Sequence, residues 1–134
     1  MNLKEEKYNK YALVREMMET PDIIKSFDPG AAAKFVESVR LRKGLFLTGE
    51  GSSRIFPAKR SIWASLQKEF SKPVITEGST QAEEYNLKDW AVFAASNSGQ
   101  TKEVIRLATL LKKQKHTAVF GLTANPNTRL EGIA

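Results

Sequence analysis

The sequence contains no cysteine, which excludes disulfides, thiol nucleophiles and cysteine-based zinc sites. Its single histidine, His116, rules out clusters of imidazole ligands and histidine triads with spare partners. No apolar run reaches the roughly 18 residues of a membrane span. The opening segment, MNLKEEKYNKYALVREMMET, is charged throughout and lacks the apolar stretch of a signal peptide. There is no internal repeat, no low-complexity stretch, and no zinc-finger, RNP or helix-turn-helix pattern. These features fit a cytoplasmic protein with no membrane and no nucleic-acid partner.

What remains is 134 residues, 41% of them hydrophobic, enough for one packed domain. The net charge is +6, but the basic residues are scattered through KEEKYNK, RLRK, AKR and LKKQK. Most lie at helical spacing or beside acids, which describes solvated faces. The surplus also suits an anionic metabolite.

Residues 4–19 are predicted helical, with Tyr8, Tyr11, Val14 and Met18 at spacings of three and four. Pro21 is expected to break that helix or start the next turn, because the residue before a proline avoids the α region. SFDPG, residues 26–30, reads as a turn, after which AAAKFVESVRL resumes a helix until Gly44. GLFLTG, KPVITEG, WAVFAAS and TAVFGLT are short apolar runs of strand length. Between them, residues 54–70 carry Ile55, Ile62, Leu66 and Phe70 on one face, with Pro57 tolerated only in the first turn. Residues 101–115 place Val104, Ile105, Ala108 and Leu111 inward and KKQK at the C-terminal end, where positive charge is favourable. NPNTRLEGIA starts a last helix with Asn127 or Thr128 as its cap. The order from Gly44 is β-α-β-β-α-β-α, and strands apolar on both faces belong in a parallel sheet covered by helices on both sides. The expected fold is a doubly wound α/β domain over 44–134, preceded by a helical segment over 1–43.

The first strand runs into TGEGSSR and the third into SNSGQT. In strand order 2-1-3-4 these turns meet where doubly wound sheets bind ligands, outside the carboxyl ends of the strands. Each leads into a helix whose first N–H groups lack partners and whose dipole favours negative charge. Glycine admits close approach and hydroxyls add donors. Ser52, Ser53, Ser96, Ser98 and Thr101, with Gly51 admitting close backbone approach, are therefore the candidate anion site, which needs neither metal nor cofactor. Either loop taken singly also fits an ordinary strand-to-helix turn with a serine or threonine cap.

TGEGSS, SNSGQTKEVI and GLTANPNTRLEGIA together resemble the sugar isomerase (SIS) domain family. The likeness is greatest to the isomerase part of glucosamine-6-phosphate synthase and related phosphosugar isomerases. The Ser-x-Ser-Gly-x-Thr signature of that family is matched by Ser96, Ser98, Gly99 and Thr101, and REMMETPDIIKSF is similar to a further family segment. The resemblance covers roughly Arg15 to Ala134 and implies a flavodoxin-like fold that grips a sugar phosphate through both loops, with Ser52 and Ser53 in the first and Ser96, Asn97, Ser98 and Thr101 in the second. Gln100 stands where the family usually has glutamate.

The family continues with a fifth strand and an acidic loop that supplies the acid/base of aldose-ketose interconversion. This sequence stops at Ala134, so the sheet is expected to lack its last strand. Its β4 edge would then be shielded by a homodimer or by a missing second half of the chain. Glu50, Glu77, Glu83, Glu84 and His116 are the remaining acid/base candidates. Glu83 and Glu84 are placed near the crevice mouth, and His116 at the opposite end of its strand. None is assigned a catalytic role. The resemblance implies phosphosugar binding as part of an isomerase, or alternatively a non-catalytic sugar-phosphate sensor. A dinucleotide-binding Rossmann module is the distant alternative, with Gly49, Gly51 and Glu77 in its favour. Arg54 in the third glycine's place, and the second serine loop, speak against it.

Overall fold

The computed structural model describes residues 5–134, and of Lys34 the backbone only. The chain divides into two compact units, Met1–Lys34 and Phe35–Ala134. In the first, a 3-10 turn at Glu6–Tyr8 precedes α1, Ala12–Ser26. The helix expected over 4–19 thus starts later, and its residue 4 lies outside the described residues. Pro21 does not break α1, which runs through it. A proline there removes the donor for the Met17 carbonyl, while the Thr20 hydroxyl donates to the Glu16 carbonyl at 3.1 Å. No residue of α1 is buried. The expected turn at SFDPG is held by Asp28, whose Oδ1 accepts the Gly30 N–H at 2.8 Å. α2, Ala33–Arg40, begins at the end of this unit and belongs mostly to the second.

The second unit is an α/β domain built on a parallel sheet in the order β2-β1-β3-β4. The strands are β1 Gly44–Gly49, β2 Val74–Gly78, β3 Trp90–Ala95 and β4 Val119–Leu122. The helices are α3 Ser52–Gln67, α4 Ser79–Ala82 and α5 Lys102–Lys113. Phe46, Val92 and Val119 stand in register across three strands and point to one face. There they pack with Ala82, Leu87, Leu107 and Leu111 into a closed core. A second cluster joins Ala94, Val104 and Ala108 to Leu130, which is fully buried. The period of α5, with five buried residues between Val104 and Leu111, builds both clusters. The opposite face, with Leu45, Leu47, Phe93 and Phe120, is only half-buried. Phe35 crosses it edge-on to the Phe93 and Phe120 rings, at 6.2 and 5.1 Å.

Three sequence expectations are corrected. The helix expected over 54–70 starts at Ser52, so Pro57 falls in its second turn and deprives the Ser53 carbonyl of its helical donor. Its expected inward face is largely exposed: Ile55, Leu66 and Phe70 face solvent, and only Ala58 of α3 is buried. The last segment forms turns rather than a full helix, begun by Thr128. The Thr128 hydroxyl accepts the Glu131 N–H, and the Glu131 carboxylate accepts the Thr128 N–H, both at 3.3 Å. This is a capping box.

Both long helices of the second unit, α3 and α5, end with a non-glycine residue in the left-handed region. After α5, Lys115 has φ +57°, and the His116 N–H bonds the Leu111 carbonyl at 3.0 Å. After α3, Glu69 has φ +48°, and the Phe70 N–H bonds the Ser65 carbonyl at 2.9 Å. Both are Schellman closures, in which glycine is the unstrained residue. Lys115→Gly and Glu69→Gly are each expected to stabilise the protein by about 0.5 kcal/mol, since a left-handed non-glycine residue costs more than glycine's extra unfolded-state freedom. Urea unfolding would read this as a higher midpoint at unchanged slope. Among the described residues, no helix is long and apolar enough to cross a membrane.

Candidate functional site

The first loop starts at Gly49, whose φ is +154°. A Cβ there would lie 2.6 Å from the Ala95 carbonyl oxygen, so glycine is what lets the two loops abut. Gly51, at φ +53°, caps α3, and nothing lies within 4 Å of where its Cβ would be. Ser52 is exposed and Ser53 half-buried in the first turn of α3.

The second loop is more tightly bonded. Ser96 is only 2% exposed, and its Oγ lies 2.7 Å from the Thr101 Oγ1. The same oxygen accepts the Thr101 N–H at 3.4 Å. Thr101 caps α5 by position, but its hydroxyl turns to Ser96 and makes no cap bond. Asn97 and Ser98 are exposed, and the Ser98 Oγ accepts the Gln100 N–H at 3.2 Å. Gly99, at φ +63°, approaches Thr128 so closely that a Cβ would fall 2.3 Å from the Thr128 Cβ.

The loop after β4 completes the rim. The Ala124 N–H and the Asn125 side-chain amide both donate to the Asn97 carbonyl, at 3.2 and 3.0 Å. The Leu130 N–H donates to the Gly99 carbonyl at 3.1 Å. A hollow of about 300 Å³ results, lined by Ser53, Ala95, Ser96, Asn97, Leu122, Thr123 and Ala124. Of the predicted site residues, Ser53, Ser96 and Asn97 share this hollow. Gly51 and Ser52 adjoin it in the chain at the start of α3. Ser98 and Thr101 belong to the second loop but do not line it. Ala95, Leu122, Thr123 and Ala124 were missed. The strand order would have found them, because a hydroxyl residue just past β4 must lie at the same rim as the end of β3.

The N-termini of α3 and α5 both open at this rim, and each offers unpaired N–H groups and the positive end of its dipole. That combination suits an anion. The acid/base candidates point elsewhere. The Glu50 carboxylate accepts the Ser79 N–H at 3.0 Å, and that of Glu77 accepts the Gly78 N–H at 2.8 Å. Contrary to expectation, neither Glu83 nor Glu84 is at the crevice. Glu83 pairs with Arg106 on α5, and its hydrogen bond and charge raise the pKa of the arginine. Glu84 lines a separate hollow of about 620 Å³, together with Asn86, Lys88, Asp89 and His116. The β2–β3 connection carries it there, because the chain must return to the amino end of β3. The His116 Nε2–H donates to the Leu87 carbonyl at 2.8 Å, and its Nδ1 accepts the Ala118 N–H at 3.1 Å. It holds the β2–β3 connection to the start of β4. Arg54 turns to Thr76 on β2, with Nη1 at 3.5 Å from its hydroxyl. Among the described residues, no three histidine or carboxylate side chains converge as a metal site.

The chain is similar in fold to the Vibrio vulnificus NanR protein. NanR, solved in complex with ManNAc-6P, superposes with a TM-score of 0.63 at 24% sequence identity. The match covers 88% of this chain and 45% of the NanR chain, so this chain spans less than half of NanR's length. No family model and no curated protein sequence matches it. The NanR likeness and the parallel sheet agree on a flavodoxin-like α/β fold.

Proposed function

We propose that this chain is a sugar-phosphate-binding module of the SIS type, acting as a sensor rather than a catalyst. One observation carries the reading: Ser53 of the first loop and Ser96 of the second line the same hollow, beside the N-terminus of α3. The phosphate is received by the first-turn N–H groups of both helices. The Ser53 hydroxyl adds a donor inside the hollow, Ser52 and Ser98 reach in from its rim, Thr101 holds Ser96 in place, and Asn97 and Thr123 face the sugar. All of these residues lie within 44–134, which supports 44–134 as the binding domain. The ManNAc-6P bound to NanR supports a sugar phosphate as the ligand class. Sensing is favoured over isomerisation because the Glu50 and Glu77 carboxylates are engaged by backbone N–H groups beside α4.

The test is a thermal melt with ManNAc-6P, glucosamine 6-phosphate, fructose 6-phosphate and NAD, followed by an isomerase assay. A ligand present at 100 times its Kd adds about 2.7 kcal/mol, a Tm rise of roughly 10 °C at this size. A rise with a sugar phosphate and no turnover is the expected result. Turnover would make the chain an isomerase instead. A rise with NAD alone would overturn the reading in favour of a dinucleotide module.

A further inference from the structure

The two loops at the rim are fastened differently. The second is bonded along its length, by the Ser96 and Thr101 hydroxyls, the Ser98 Oγ, and donors from Ala124, Asn125 and Leu130. Residues 49–53 of the first make one side-chain hydrogen bond among the described residues, from the Ser79 N–H to the Glu50 carboxylate at 3.0 Å. Glu50 stands between two glycines of positive φ, +154° at Gly49 and +53° at Gly51. The backbone on either side of it therefore has few steric limits of its own. Packing does not hold the loop either at Gly51, where nothing beyond the chain neighbours lies within 4 Å of a Cβ position.

The far end of this fastener is well anchored. Ser79 opens α4 and is fully buried, with its Oγ 3.0 Å from the Oγ1 of Thr48, itself 1% exposed. Gly78, at the N-cap of α4, has no side chain to offer, so Glu50 caps that turn from another segment. α4 is tied in turn to α5. Glu83 pairs with Arg106, whose Nη2 also donates to the Thr80 hydroxyl at 3.4 Å.

We infer that Glu50 is a positioning residue, whose bond to Ser79 sets the first loop so that the α3 N-terminus stands ready for an anion. This rests on the sugar-phosphate reading of the hollow, which Glu50 itself does not line. Without the bond the two glycines leave the loop free, and a ligand must order it at a loss of affinity. The charge of Glu50 is no help in gripping an anion, since like charges repel. Only its acceptor oxygen is needed. Glutamine keeps that acceptor and drops the charge, whereas alanine removes both.

Titration calorimetry of the full chain with ManNAc-6P, at a temperature where each variant is folded, reads the effect on binding. Glu50→Ala is expected to bind at least about tenfold more weakly than wild type, and Glu50→Gln within about threefold or more tightly. Backbone amide relaxation by NMR, without ligand, reads the loop itself. Order parameters at Gly51 and Ser52 are expected near about 0.85 in wild type and Glu50→Gln, and below about 0.6 in Glu50→Ala. If Glu50 only stabilises α4, the alanine variant melts lower yet binds as wild type does, which overturns the inference. An alanine variant with a wild-type loop, or a glutamine variant as weak as the alanine one, overturns it as well. A wild type that binds none of the sugar phosphates would instead refute the ligand class, and the order parameters would still decide whether Glu50 sets the loop.

Discussion

Replacing Ser96 and Ser98 together by alanine is expected to weaken sugar-phosphate binding at least about 100-fold, below detection at millimolar ligand, while the protein still folds. Hydrogen bonds to a charged group are worth about 1.5–3 kcal/mol each, and 1.4 kcal/mol is a factor of ten in affinity. The two serines act differently. Ser98 is exposed, and its hydroxyl hydrogen is free to reach a ligand while its oxygen holds the Gln100 N–H. Ser96 is buried, and its Oγ ties the loop to Thr101 by both hydroxyl and N–H. Losing that tie lets the first turn of α5 and its N–H groups drift from the geometry a phosphate needs. The sheet is spared, because the Ser96 N–H still bonds the Leu122 carbonyl at 2.9 Å. Calorimetric titration with the sugar phosphate, set beside a thermal melt, checks both halves. Affinity retained within threefold in a folded double variant would count against the site.

Gly99→Ala is expected to cost about 3 kcal/mol and to lower the Tm by roughly 10 °C. Two effects add. The residue sits at φ +63°, where a Cβ is strained, and the new methyl would lie 2.3–2.6 Å from three Thr128 side-chain atoms. One of these is the Thr128 Cβ itself, which no rotamer change can move. Relief requires the backbone of 123–130 to pull away, breaking the Leu130 N–H bond to Gly99 and unseating the buried Leu130 side chain. Urea unfolding measures the loss. If Gly99→Ala unfolds at the wild-type midpoint, the close packing of the last segment on the second loop is refuted.

The sheet was legible because each strand is a short apolar run bounded by glycine, proline or polar residues. The β1 and β3 limits at Gly44–Gly49 and Trp90–Ala95 follow those boundaries. The two serine loops were legible for the same reason: small hydroxyl residues follow the first and third strands, and the expected order 2-1-3-4 matches β2-β1-β3-β4. α3 was misread, because periodicity identifies an apolar face without saying what covers it. Pro21 was misread as a stop, because the cost of a proline inside a helix can be borne on an unburied helix, where water meets the freed Met17 carbonyl. Glu84 was misplaced, because a loop's composition does not say how far along it the chain turns back toward the next strand.

The sequence by itself determined the order of elements, their parallel pairing and the two turns able to receive an anion. All three depend on local pattern and on the chirality of βαβ connections. Only the tertiary structure decided that Ser53, Ser96 and Asn97 share one hollow, that the β4 loop forms its third wall and that the carboxylates turn away. It also decided that the bulkiest side of α3 faces outward. Those outcomes rest on contacts between residues dozens of positions apart. Close packing and backbone hydrogen bonds select among arrangements that the linear pattern leaves equal.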